Sequence, residues 1–151
     1  FSTAKIFMGD TGSLILGSNS SILALKFIEL NNAMPDSLYA IKSVPAVTIG
    51  ILIIPLFDTI RVFILRILRG RSPFYPDKTH IHHLLIDLGY SHVKSTLILC
   101  AVNILFIGIS LRFQDIGTLN LIWLILTLAT IGSVILLYLA NKKIKQESNK
   151  L

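Results

Sequence analysis

The sequence predicts an all-α integral membrane protein: about four membrane-spanning helices, with a short amphipathic helix between the second and third, forming part of a larger polytopic helix bundle. Three observations carry that reading. Mean hydropathy is +0.73, with 53% of the 151 residues hydrophobic. Only 15% are charged, well below the roughly 25% of soluble domains. Finally, the uncharged runs Thr11–Leu25, Ser43–Phe57, Ser95–Leu111 and Ile116–Asn141 approach or exceed the ~20 apolar residues that cross a bilayer core, the first two once a single edge charge is admitted.

Taken in order, the expected spans are 12–30, 43–65, 95–111 and 117–140, all within one membrane domain. The first is the weakest, because Lys26 and Glu29 interrupt its far end, at a spacing that lets them pair near the interface. The fourth is the longest charge-free run. Between the second and third lies a polar segment, 66–94, and a basic tail, 142–151, follows the fourth. The single cysteine, Cys100, falls in the third run, so no disulfide framework or thiolate metal site forms within the chain. The chain opens on Phe1 without the charged region and cleavage site of a signal peptide, and reads as a fragment of a longer membrane protein.

Charge gives the orientation. With four spans, Arg66, Arg69, Arg71, Lys78, Lys94 and the four lysines of the tail fall on one side together with Lys5, whereas the other side carries Lys42 and Arg112. The positive-inside rule makes the first side cytoplasmic. The net charge of +6 is then a matter of topology and of attraction to anionic headgroups. No soluble basic domain is left to bind nucleic acid. The setting expected is a multi-pass protein of the bacterial cytoplasmic (inner) membrane; oligomeric state, including a homo-oligomer, is left open by the sequence.

Three polar clusters carry the chemistry. In KIFMGDTGSL, Asp10 stands between Gly9 and Gly12 at the start of the first span. Glycines let backbone approach a ligand closely, and a carboxylate there suits a Mg²⁺ engaged with phosphate oxygens; equally, Asp10, Thr11 or Ser13 is a helix cap, which spacing alone favours. In the second cluster, Pro73 and Pro76 impose an extended approach to a short helix in which Ile81, Leu84, Leu85 and Leu88 form an apolar stripe and His80, His83 and Asp87 an opposing face, with His82 between and Gly89 as the stop. Such a helix suits a membrane surface. Its histidines admit three readings: an anion-binding and acid/base cluster, an interfacial helix that tolerates imidazoles, or a metal site. Arg66, Arg69, Arg71 and Lys78 nearby favour the first, since guanidinium forks and imidazole N–H groups grip phosphate. Zinc is disfavoured, because no cysteine is close enough to complete a tetrahedral set. The third cluster is Asp58 and Arg61, three apart near the end of the second span. They can pair with each other, lowering the cost of both at membrane depth, which is the favoured reading; alternatively Asp58 faces the cytoplasmic cavity and orients a lysine, arginine or histidine that touches substrate.

KIFMGDTGSL, PLFDTIRVFILRILRGRSPF and PDKTHIHHLLIDLG, in this order, resemble the C-terminal half of the polyprenyl-phosphate N-acetylhexosamine-1-phosphate transferases. The His-Ile-His-His spelling of His80–His83 is similar to the branch that moves GlcNAc-1-phosphate to undecaprenyl phosphate, rather than the MurNAc-pentapeptide branch with its three consecutive histidines. The resemblance is strong from Ala4 to about Ser95 and rests on position and hydrophobicity beyond. It implies a phosphoglycosyl transferase that takes a UDP-sugar and undecaprenyl phosphate, releases UMP and uses Mg²⁺. It further implies that Asp10 is a catalytic metal ligand, that His80, His82 and His83 are catalytic and hold the diphosphate, and that Arg66, Arg71 and Lys78 contact substrate. The family's paired acidic motif and its Asn-rich, Asp-Gly motif are not in these residues, so the 151 residues alone are expected to be inactive. A reading of another class competes: a non-catalytic membrane module that binds acidic lipid or a partner through its basic loop.

Overall fold

The computed structural model describes residues 9–70, 72 and 80–148, without the side chains of residues 9, 10, 144, 145, 147 and 148. The chain is an all-α membrane protein, and no strand occurs among the described residues. Its helices are α1 (Gly9–Ala33), α2 (Val44–Ile51), α3 (Ile53–Leu68), α4 (Ile81–Asp87), α5 (His92–Arg112) and α6 (Thr118–Ser148), with one 3₁₀ turn at Gln114–Ile116. α1, α5 and α6 are long and apolar enough to cross a membrane; α2 and α3 make a fourth crossing only if counted together.

The expected second span, 43–65, is the place where the observed architecture differs. It divides at Leu52 into α2 and α3, whose axes bend by 76°. Pro55 gives the physical reason: lacking an N–H, it cannot donate to the Ile51 carbonyl four residues back. Asn103 of α5 supplies the missing donor, its Nδ2 lying 3.1 Å from the Ile51 oxygen. A polar side chain from a neighbouring helix thereby satisfies a backbone group freed inside apolar surroundings. Pro45, in the first turn of α2, costs nothing of this kind, because N–H groups there have no intrahelical acceptor.

The core is formed by Ala46 and Val47 of α2, Ile53 of α3, Phe106 of α5, and Leu121 and Ile125 of α6. α2 and α5 approach closely: a Cβ built on Gly50 would lie 2.0 Å from the Ser110 hydroxyl, which donates to the Phe106 carbonyl. Small residues at such crossings let helix backbones come together where lipid offers no hydrophobic drive. α1 rests on α2 and leaves Leu14, Leu16, Leu23 and Leu25 exposed. Its Lys26 and Glu29 form the expected pair at 2.8 Å.

One end of the bundle is stitched by polar contacts. The Asn31 amide donates to the Ile41 carbonyl and accepts from its N–H; Ser43 donates to the Gln114 carbonyl, and Lys42 pairs with Asp115 at 2.8 Å. At the other end α3 stops at Gly70, whose φ of +66° ends the helix in a left-handed residue. α5 begins three residues earlier than the expected span, capped by Ser91, whose hydroxyl accepts from the Lys94 N–H. α6 carries the basic tail as continued helix through Ser148.

Candidate active site

α3 has the polarity expected of a helix in lipid. Leu56, Ile60, Ile64, Ile67 and Leu68 are exposed, whereas Arg61, Val62 and Arg66 are buried on one face. Charged groups at membrane depth face the bundle and pair with one another, and Asp58 is where they meet. Its Oδ1 accepts from Arg61 Nη2 at 2.9 Å and from the Ile81 backbone N–H at 3.1 Å. Its Oδ2 lies 2.9 Å from Nδ1 of His80. Asp58 therefore pairs with Arg61, as the spacing favours, and contacts a histidine at the same time.

The Ile81 contact also explains how α4 starts. His80 occupies the N-cap position with extended backbone, but its own side chain makes no capping hydrogen bond. An orphan N–H of the first turn is instead satisfied by a carboxylate from α3, where the partial positive charge of a helix start favours an anion. Gly89, at φ +90°, closes the helix as the sequence indicates. The apolar stripe does not lie free on a surface: α4 packs on α5 and α6, with Leu85 only 4% exposed. Beneath it, Ile81 and Leu85 roof an apolar cavity of about 190 Å³ walled by α3, α5 and α6. Leu85 is buried and Ile81, Leu84 and Leu88 are half-buried because two helices are present to receive the stripe.

The histidines are brought together, with a partner the sequence reading missed. His82 Nε2 lies 3.3 Å from Nδ1 of His92, the first residue of α5, and the His82 and His83 rings meet edge-on with centroids 6.0 Å apart. His80 turns instead toward Asp58. His92 carries no motif signal, being a lone histidine ten residues downstream; only the reversal of the chain at 88–91 places it beside His82. Arg66, expected on a loop, sits in the last turn of α3 and is 7% exposed. Arg71 and Lys78 lie outside the described residues, as does the side chain of Asp10, whose backbone forms the start of α1.

Over 106 residues, 70% of its length, the chain is 42% identical to a probable undecaprenyl-phosphate N-acetylglucosaminyl 1-phosphate transferase of Bacillus subtilis. Over that stretch the chain is similar to the polyprenyl-phosphate N-acetylhexosamine-1-phosphate transferases. Other relatives are a decaprenyl-phosphate N-acetylglucosaminephosphotransferase of Mycolicibacterium smegmatis, 35% identical over 66% of the chain, and an undecaprenyl-phosphate alpha-N-acetylglucosaminyl 1-phosphate transferase of Yersinia pestis, 34% identical over 70%. These alignments cover 27%, 25% and 27% of the relatives, so the chain spans about a quarter of the length of the transferases it matches. No family model matches the chain, and neither does any solved structure.

The Mg²⁺ that the transferase family implies finds no ligand set among the described residues. They contain no group of three or more histidine, cysteine or carboxylate side chains placed to hold a metal. Asp58, the carboxylate in the histidine cluster, is already engaged by Arg61, His80 and Ile81. A hard cation prefers oxygen ligands, and the cluster around α4 is rich in imidazole. What it gathers is imidazole nitrogens at a helix start, with His80 linked through Asp58 to the buried Arg61 of α3.

Proposed function

We propose that the full-length protein transfers N-acetylhexosamine-1-phosphate, GlcNAc-1-phosphate foremost, from a UDP-sugar to undecaprenyl phosphate and releases UMP, beginning a cell-envelope polysaccharide. The observation that carries this is the tethering of His80 by Asp58 at the start of α4, in a chain whose relatives are named for this transfer. An oxygen of the lipid phosphate attacks the sugar-bearing phosphorus, the bond to the other phosphate of the diphosphate breaks, and UMP departs with the electron pair. Both reactants are anions, so the reaction needs cationic groups fixed in advance where negative charge accumulates.

In this reading His80, His82 and His83 hold the diphosphate of the UDP-sugar by their ring N–H groups. Arg71 and Lys78 contact the phosphates, and Arg66, buried in the last turn of α3, adds charge from beneath. Asp10 is the proposed Mg²⁺ ligand, the cation offsetting repulsion between the two phosphates when bound. The excess of lysine and arginine on the side of 66–94 supports a cytoplasmic site on a bacterial inner membrane.

The test uses the full-length protein in membranes, with radiolabelled UDP-GlcNAc and undecaprenyl phosphate, following lipid-linked product and UMP. Asp10→Asn and His82→Ala should each lower transfer by about 100-fold or more while inserting normally. Wild-type rates from both variants would sink the site assignment. The 151 residues alone should give no product, and turnover by them would refute the division of the site implied here.

A further inference from the structure

The role of Asp58 goes beyond balancing Arg61. An ion pair within α3 would by itself relieve the cost of two charges in a span, yet both oxygens of Asp58 also reach across to α4. Oδ1 fixes the helix start through the Ile81 N–H, and Oδ2 fixes the ring of His80 through Nδ1 at 2.9 Å. Exposure is graded in the same direction: the Arg61 and Asp58 side chains are 8% and 16% exposed, and that of His80 is 42% exposed. Bare carboxylate oxygens only accept hydrogen bonds, so the nitrogen facing Asp58 carries the hydrogen. The opposite nitrogen, Nε2, is left as the working edge of the ring.

We infer that Asp58 is a positioning residue for the transfer reaction: by accepting from Nδ1 it aims the ring of His80 so that Nε2 faces the substrate diphosphate, to which the ring, with hydrogen on both nitrogens, donates. This rests on the transferase reading above. Partners that orient a working imidazole through its second nitrogen govern its tautomer and its aim, and losing one costs about 10–100-fold in activity. Asp58→Asn is the sharpest perturbation. The carboxamide keeps the shape and one acceptor oxygen, which Ile81 and Arg61 still claim, and turns its NH₂ toward His80. The ring then has to offer a lone pair at Nδ1, so it cannot carry hydrogen on both nitrogens and meets the diphosphate from Nε2 without its positive charge and without the carboxylate that aims it.

The experiment is a double-mutant cycle in the full-length protein, measuring kcat/KM for UDP-GlcNAc. Asp58→Asn should lower kcat/KM by about 10–100-fold in the wild-type background and by less than about threefold in a His80→Asn background, because a residue acting through His80 has nothing left to act on. The same factor in both backgrounds would show a structural role and overturn the inference. Should Asp58→Asn fail to fold, ¹⁵N NMR of histidine-labelled wild-type protein decides: hydrogen on His80 Nδ1 upholds the assignment, and a bare Nδ1 overturns it. A wild-type enzyme that transfers nothing from any UDP-sugar would instead sink the transferase reading.

Discussion

Replacing Asn103 with leucine tests the idea that the bend between α2 and α3 is a solved hydrogen-bonding problem. The amide of Asn103 reaches the Ile51 carbonyl at 3.1 Å, where Pro55 has no N–H to give. Leucine keeps the shape of the side chain and removes the donor. An orphaned buried carbonyl costs about 1–3 kcal/mol, whereas hydrogen bonds between membrane helices average about 0.6 and reach about 1.7 kcal/mol. The substitution also removes the Asn103 Oδ1, which is buried without a partner, and so recovers part of the loss. A net destabilisation near 1 kcal/mol follows. Pro55→Ala supplies the reference: an alanine N–H can donate to Ile51 as the helix continues, so Asn103→Leu in that background should cost close to nothing, a coupling of about 1 kcal/mol. Equilibrium unfolding of the four full-length proteins in detergent measures the cycle. Equal costs with and without Pro55, or no cost in the wild type, would refute the argument.

Other outcomes follow from particular contacts. Gly50→Ala should destabilise by roughly 1–2 kcal/mol, since overpacking against Ser110 outweighs the ~1 kcal/mol gained in helix propensity. Gly132→Ala, with nothing within 4 Å of the new Cβ, should stabilise by up to ~1 kcal/mol; thermal melts of the pair separate the two effects. Gly89→Ala forces a side chain into φ +90° and toward Lys143, and a loss of about 1–2 kcal/mol is expected in the same assay. The hydrogen bond and charge of Asp115 hold Lys42 above the ordinary lysine value of 10.5. A raised folded-state pKa means that its contribution is complete below the unfolded value and is lost only as pH climbs through the raised one. Lys42→Met should therefore change stability equally at about pH 6 and about pH 8, and a difference between them in a pH series of melts would contradict the pairing.

Much of the site was legible because it is built from local signals. The i,i+3 spacing of Asp58 and Arg61 announced their pair, the period of Ile81, Leu84, Leu85 and Leu88 announced α4, and Gly89 announced its end. His92 was not legible, since a lone histidine becomes a partner for His82 only through the turn that sets α5 against α4. The sequence likewise favoured a surface helix for α4, because an apolar stripe looks the same whether lipid or another helix receives it. Arg66 looked like a loop residue because nothing local says how far α3 continues past the apolar run.

The sequence by itself determined the class of the protein, its apolar helices, the sign of its charge asymmetry and the family that its motifs resemble. Each depends on composition or short-range spacing, which the chain carries in one dimension. Tertiary structure decided the break at Leu52, the turning-inward of Arg66 and the three-way engagement of Asp58. Pro55 makes a bend available, but proline is tolerated in membrane helices wherever a neighbour replaces the lost donor, and that neighbour, Asn103, is 52 residues from the carbonyl it satisfies. The choice of Asp58 between a local arginine and a distant histidine was likewise open until α4 was set against α3, where two carboxylate oxygens proved enough for Arg61, His80 and the start of a helix together.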